Sequence, residues 1–271
     1  MPLQTKGRVV RNGRIKSLYS ILGIYSPSIA NQIKPGQFVM LKVSDNTSPL
    51  LRRPFSVYKS YPVTHPENSR RGCLFILYKK VGKGTREMTT LSKGQKVDLI
   101  GPLGNGFTLP PLPSSANSIL IGGGVGIVSL YPLAETLKGG KIFVFIGGKT
   151  ENDILAVEDF KKLNSNVFIA TEDGSLGVRG TVVDLLSSRR KQFERNGTYY
   201  LYACGPVPML KALAGAVKSK NFICQVSLEA RMGCGFGACW GCVVKTKHPK
   251  MPYQRVCQEG PVFRLEDIAW E

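Results

Sequence analysis

Four cysteines near the C-terminal end set the tightest constraint on how this chain can fold. Cys234, Cys239 and Cys242 follow the spacing C-x4-C-x2-C, and Cys257 comes after fourteen intervening residues. This is the plant-type spacing for a 2Fe-2S cluster. Three thiolates converge on an inorganic core only if the chain between them turns tightly. Gly233, Gly235, Gly237 and Gly241 supply the backbone freedom that such a loop needs. Its amide groups can then point at the sulfurs and stabilise their charge. Four cysteines can also hold a structural zinc ion. Zinc ribbons usually pair their ligands as two C-x2-C units, whereas here the first pair is spaced by four and Cys257 stands alone.

The seven cysteines are odd in number, and no apolar stretch of signal-peptide type follows the basic segment Met1–Ser17. Metal binding is therefore expected rather than a disulfide framework, and a cytoplasmic location with it. No apolar run approaches the ~20 residues of a membrane span. The net charge of +19 is large. A generally basic surface accounts for it, and so does an acidic protein partner. Nucleic acid is not expected, because Lys and Arg are scattered and no recognition module is visible.

Three segments differ in pattern. Up to about Leu109, short strand-like runs (Gly7–Val10, Tyr19–Ile24, Gln37–Val43, Cys73–Val81, Lys96–Ile100) alternate with Gly and Pro turns, which predicts a small antiparallel barrel. A proline-rich joint, 110–115, follows. From 116 to 224, strands at Ser118–Ile121, Lys141–Ile146, Val167–Ala170 and Tyr199–Ala203 alternate with helical stretches at Val125–Leu137, Asp153–Leu163, Thr181–Arg189 and Pro208–Lys218. That alternation predicts a parallel, doubly wound sheet. The remaining residues are too few to carry a core of their own and need a metal centre or a docking surface. The expected division is residues 1–110, 111–225 and 226–271.

Glycine-rich turns mark two more candidate sites. Ile119–Ile121 runs into Gly122, Gly123, Gly124, Val125 and Gly126, a strand leading through glycines to a helix start, where a pyrophosphate can approach the backbone. The dinucleotide fingerprint would place glycine at 127, where Ile127 stands. Taken alone, the loop also reads as a tight strand–helix turn. Arg53, Pro54, Phe55 and Ser56 offer a planar fork for phosphate oxygens beside a hydroxyl that can donate or accept. Gly82-Lys83-Gly84-Thr85 is a second turn, although Arg53 could be a surface charge and Gly84 a hairpin glycine. Cys204-Gly205-Pro206 ends a strand, and its thiol also reads as a buried small hydrophobe. His65 and His248 are expected at the surface.

These motifs resemble those of the ferredoxin reductase superfamily. The resemblance implies that Arg53 binds a flavin pyrophosphate, Phe55 packs near the isoalloxazine and Ser56 bonds its reactive edge. It places Leu77, Tyr78 and Lys79 along the same cofactor and Gly84 and Thr85 at its phosphates. It puts Cys204 where nicotinamide meets flavin, as the candidate catalytic residue. Thr171–Ser175 would lie near the nucleotide, where Glu172 and Asp173 favour NADH.

Nearly the whole chain resembles the electron-transfer subunits of class 1B dihydroorotate dehydrogenases. Arg52–Val57, Gly101–Phe107, Gly122–Leu133, Ser227–Val244 and Arg255–Phe263 carry the likeness. It implies FAD, a 2Fe-2S cluster and NAD(H). It also implies an FMN-containing catalytic partner that oxidises dihydroorotate, in a heterotetramer with two of each chain. Where the family commonly has Ala-Pro, Val128 and Ser129 stand here. A diaphorase-type subunit of a hydrogenase, sulfhydrogenase or bifurcating complex would share these motifs. A non-enzymatic scaffold with a zinc knot is the alternative of another class.

Overall fold

The computed structural model describes residues 2–44, 48–66, 68–113, 116–194, 197–217 and 221–270. Its first half is an antiparallel sheet. The strands are β1 (Leu3–Lys16), β2 (Tyr19–Tyr25), β3 (Phe38–Lys42), β4 (Arg53–Ser56), β5 (Lys59–Tyr61), β6 (Cys73–Lys79) and β7 (Lys96–Leu103), in the order β4-β3-β7-β1-β2-β6-β5. β4 and β5 lie at opposite edges, yet only Val57 and Tyr58 separate them in the chain. The sheet must therefore curl until its edges meet. Alternate burial along β7 turns Val97 and Leu99 inward onto Val9, Leu22, Val39, Leu41 and Ile76. Two short helices, α1 (Pro27–Ala30) and α2 (Lys83–Met88), cover the barrel.

The joint leads from Pro110 toward the second sheet; Ser114 and Ser115 lie outside the described residues. β8 (Asn117–Gly123), β9 (Lys141–Gly148), β10 (Asn166–Thr171), β11 (Val178–Arg179), β12 (Tyr199–Cys204) and β13 (Phe222–Ser227) pair in parallel, in the order β11-β10-β9-β8-β12-β13. Strands buried on both faces read as continuous apolar runs, as Ile119–Ile121 does. The connecting helices are α3 (Tyr131–Thr136), α4 (Val157–Lys161), α5 (Val182–Glu194) and α6 (Val207–Ala216). Thr181 and Asp184 form a capping box at the start of α5, with Asp184 N–H donating to Thr181 Oγ1 at 3.2 Å and Thr181 N–H to Asp184 Oδ2 at 3.1 Å. Lys218, the expected end of α6, lies outside the described residues.

In the last segment β14 (Val243–Lys245) and β15 (Tyr253–Arg255) form a hairpin, and β16 (Val262–Arg264) adds antiparallel to β13. The segment therefore shares a core with the rest. Cys242, Val256 and Cys257 belong to the same buried cluster as Met40, Ile121 and Val226.

Two expected helices are broken. The stretch from Val125 is a 3-10 turn, Gly124–Leu130, before α3 begins with Pro132 in its first turn. Ser129 Oγ donates to the Gly126 carbonyl at 2.8 Å, a three-residue bond that tightens the turn. The stretch Asp153–Leu163 is helical only at Glu151–Asp153 and over α4, with Ala156 at φ 59° between them. Its two aspartates are committed to the barrel instead. Asp153 accepts from the Tyr19 hydroxyl and from Lys79 Nζ at 2.9 Å. Asp159 accepts from the Tyr58 hydroxyl and from Lys59 Nζ at 2.9 Å. Lys16 Nζ donates to the Glu151 and Ile154 carbonyls, both at 2.8 Å.

Partial burial raises the Asp153 carboxyl, but the Tyr19 and Lys79 hydrogen bonds outweigh it and hold it below its usual range. A carboxylate so held stabilises the fold above its ordinary pKa of about 4, and that contribution is lost as acid titrates it lower still. Asp153→Ala is expected to cost about 1–3 kcal/mol, because it strands a part-buried phenol and ammonium. Thermal melts should show the full deficit near neutral pH and a shrinking one below about pH 4. A deficit that stays constant with pH would refute the assignment.

Candidate functional site

A cavity of about 470 Å³ opens between the barrel edge and the second sheet. β4 forms one wall with Arg53, Pro54, Phe55 and Ser56. Because β4 is an edge strand paired only to β3, all four side chains stay partly accessible. Leu77, Tyr78 and Lys79, at the end of β6, continue that wall, and Gly84 and Thr85 in α2 close its lower end. Phe55 meets Tyr78 edge-on at 6.2 Å between ring centroids. Thr85 Oγ1 accepts the N–H groups of Val81 at 3.0 Å and Gly82 at 3.1 Å, which fixes the turn. A side chain at Gly84 would come within 3.1 Å of Arg53 Nε, so glycine leaves the guanidinium its place. Arg53 donates to the Leu51 carbonyl, and Lys83 Nζ bonds Ser48 at 2.7 Å. Lys79 lines the cavity, but its ammonium is held by Asp153.

This wall combines an apolar, aromatic surface with a guanidinium beside a glycine turn, which suits a flat ring system carrying phosphates. The opposite wall comes from Val125, Gly126, Val128 and Ser129, and from Ser227–Ala230 and Met232 after β13. The family likeness includes these residues without giving them a role. Their position at the carboxyl end of a parallel strand is the signal that marks them. Glu229 lines the cavity and keeps an exposed surface, and the crowding of protein around its carboxyl raises it.

The chain order reverses between β8 and β12, the switch point where open α/β sheets bind ligands. Gly122 pairs with Cys204 there. A side chain on Gly122 would lie 2.6 Å from Ile127 Cδ1, with the Ile127 backbone closer still. Ile127 thus packs directly on Gly122, and the close approach that glycine at 127 usually permits is transferred to 122. Gly123 abuts Met209 and Pro206, and Gly124 takes φ 53° with open space around it. Of these four glycines only Gly126 lines the cavity. Cys204 lies behind it at 2% exposure and does not reach the cavity surface. Burial, then the Glu229 charge, pushes its thiol up to about 12. Glu172 and Asp173 are exposed just beyond β10, and Asp173 accepts from Ser175 Oγ at 2.7 Å and Ser175 N–H at 3.0 Å. His65 packs edge-on against Tyr61 at 4.6 Å and is half-buried, while His248 is exposed.

Cys234 and Cys239 sit on an irregular loop with Gly235 at φ 84°, Gly237 at φ 90° and Trp240 at φ 55°. Gly237 N–H donates to Cys257 Sγ at 3.2 Å, and Cys257 N–H to Cys242 Sγ at 3.4 Å. Burial raises the Cys234 thiol, but the amides of Phe236, Cys239 and Ala238 outweigh it and bring it to about 6. Cys234 lies beside Cys239, and Cys242 beside Cys257. Among the described residues no three His, Cys, Asp or Glu side chains are gathered closely enough to hold one metal ion. Backbone amides aimed at the sulfurs from Gly237 and Cys257, on a loop with C-x4-C-x2-C spacing, suit the ligands of an iron-sulfur cluster.

This loop is fastened to the barrel. A side chain on Gly235 would come within 2.7 Å of Met40 Sδ. Asn105 Nδ2 donates to the carbonyls of Gln258 at 3.1 Å and Glu259 at 3.0 Å. The turn Gly101–Phe107 therefore grips the segment after Cys257 and takes no part in the cavity.

Residues 229–269 match the sequence profile of the iron-sulfur cluster binding domain of dihydroorotate dehydrogenase B. The chain is 40% identical over 238 residues to the dihydroorotate dehydrogenase B (NAD(+)) electron transfer subunit of Bacillus caldolyticus, covering 87% of each. It is 37% identical to the corresponding subunit of Geobacillus sp. (strain WCH70), over 99% of this chain and all of the relative. A solved chain of NADH-dependent reduced ferredoxin-NADP oxidoreductase, studied for flavin-based electron bifurcation, superimposes with a TM-score of 0.82. It is 29% identical and spans 97% of this chain and 90% of its own. The ferredoxin reductase of carbazole 1,9a-dioxygenase shares the fold at a TM-score of 0.65, with 19% identity over 82% of this chain and 69% of that one.

Proposed function

The chain belongs to the family of electron transfer subunits of dihydroorotate dehydrogenase B, and from that premise we propose that it carries electrons between NAD(H) and a catalytic partner through FAD and a 2Fe-2S cluster. The observation that carries this reading is the cavity itself. Its walls join the barrel edge, the switch-point loop and Met232, two residues before the first cluster cysteine. Bound FAD would supply the conversion between two-electron hydride exchange and single-electron transfer.

The chain's own residues bind and orient. Arg53, with Gly84 and Thr85, would hold the pyrophosphate. Pro54, Phe55, Leu77 and Tyr78 would pack the ring, Ser56 would offer a hydroxyl to its edge, and Lys79 would border it while tied to Asp153. Gly122, Gly123, Gly124 and Gly126 would let a nicotinamide nucleotide approach the switch point, with Glu172 and Asp173 favouring ribose hydroxyls over a phosphate. Cys204 would act by shaping the backbone behind Gly126 rather than as a nucleophile. Cys234 and Cys239 would hold one iron, Cys242 and Cys257 the other. No acid–base pair is required for this chemistry.

The proposed division is a barrel over 1–110, a nucleotide-binding unit over 111–225 and a cluster module over 226–271. The proposed partner is an FMN-containing subunit that oxidises dihydroorotate, two of each chain per assembly. No helix of the described residues is long and apolar enough to cross a membrane, and the proposed location is the cytoplasm.

Anaerobic titration with NADH tests the reading. The visible flavin bands and the cluster absorbance are both expected to bleach. A colourless protein, or coloured bands that ignore NADH, would overturn it. The likeness to the bifurcating oxidoreductase favours a second reading, in which the same module serves a different complex. The catalytic chain that co-purifies with it decides between them.

A further inference from the structure

Arg255 closes β15, two residues before Cys257, and its guanidinium meets three groups at once. Nη1 donates to the Gly237 carbonyl at 2.7 Å. Nε donates to Glu259 Oε2 at 3.0 Å, and Nη2 pairs with Glu259 Oε1. The guanidinium carbon stacks 4.4 Å from the centre of the Trp240 ring. Gly237 and Trp240 both belong to the cluster loop, and both have positive φ. A left-handed conformation costs a residue such as Trp240 about 1–2 kcal/mol, so the loop needs an outside hold to keep that shape. Gly237 is held on both sides: its carbonyl by Arg255 and its N–H by Cys257 Sγ at 3.2 Å.

We propose that Arg255 is a positioning residue that clamps the loop so that the Gly237 amide stays aimed at the Cys257 sulfur, and that this contact raises the reduction potential of the cluster. The inference rests on the cluster reading above. A hydrogen bond to a ligand sulfur favours the reduced, more negative state. Arg255 suits the task because its flat fork can serve a carbonyl, a carboxylate and an indole face together, which lysine cannot do. Glu259 orients the fork and also takes a bond from the Arg255 backbone N–H at 2.7 Å. A cation that served only to pair with Glu259 would have no need to reach the Gly237 carbonyl.

The test is a redox titration of the intact complex followed by the electron paramagnetic resonance of the reduced cluster. Arg255→Gln is expected to lower the ratio of reduced to oxidised cluster at a fixed potential about tenfold, a downward shift of about 59 mV for one electron. Arg255→Lys should recover only part of that shift. The flavin midpoint serves as the internal reference and should stay in place. A cluster whose potential is the same in wild type and Arg255→Gln overturns the proposal and reduces Arg255 to a structural ion pair. If Arg255→Gln does not retain its cluster, Trp240→Leu removes the stacked face alone, and an unmoved potential there overturns the clamp. A wild-type protein without any cluster signal overturns the cluster reading itself.

Discussion

Gly126→Ala is expected to slow flavin reduction by NADH about 100-fold while the flavin stays bound. A methyl group there would sit 2.7 Å from the Cys204 carbonyl carbon and 2.9 Å from Gly205 Cα, with the Cys204 carbonyl oxygen nearer still. These are backbone atoms of β12 and the turn after it, so no side chain can rotate aside. The loop itself must retreat from the switch point. Displacing a bound reactant by about 1 Å costs about 10²-fold in rate. Gly124 provides the control. It has φ 53°, but its missing side chain would face open space. Gly124→Asn, which tolerates that backbone, should reduce flavin at close to the native rate. Stopped-flow reduction at saturating NADH separates the two variants, and equal rates for both would refute the packing argument.

The second large effect lies at the other end of the electron path. Gly235→Ala is expected to strip most of the iron from the protein. The position has φ 84°, and the added methyl would press on Met40 with Sδ at 2.7 Å and Cγ closer. The left-handed backbone costs about 1–2 kcal/mol, and overpacking against a buried side chain adds about 1–3 kcal/mol. Both penalties fall next to Cys234. Met40→Ala in the same chain removes the clash and leaves the backbone strain, so iron content should return in part. Iron per chain, measured on the single and double variants, checks this. A full complement in Gly235→Ala would mean that the loop yields where Met40 was taken to hold it.

The legible parts of this molecule are local. The spacing of Cys234, Cys239 and Cys242 is readable because one short loop carries all three. The α/β class is readable because strands such as Ile119–Ile121 are apolar without interruption. The helix expected from Asp153 fails for the opposite reason. Tyr19, Tyr58, Lys59 and Lys79 draw two of its residues to the barrel, from positions about a hundred residues earlier. The wall formed by Ser227–Ala230 and Met232 is likewise visible only once β13 is placed beside β12 in the sheet. Asn105 carries no sign in its own turn that it will grip Gln258 and Glu259. Tertiary partners decide each of these, and no window of sequence contains them.

The strand β16 completes the sheet of the nucleotide-binding half, while Met40 and Asn105 of the barrel hold the segments on either side of the β14–β15 hairpin. The cysteine-bearing segment is thus built into two other cores at once. Many redox proteins ferry electrons on a tethered domain that swings between donor and acceptor. This arrangement leaves no such freedom. The gap that an electron must tunnel across between the cavity and the cysteine loop is set by core packing, so it should respond to mutations in the core and be insensitive to solvent viscosity.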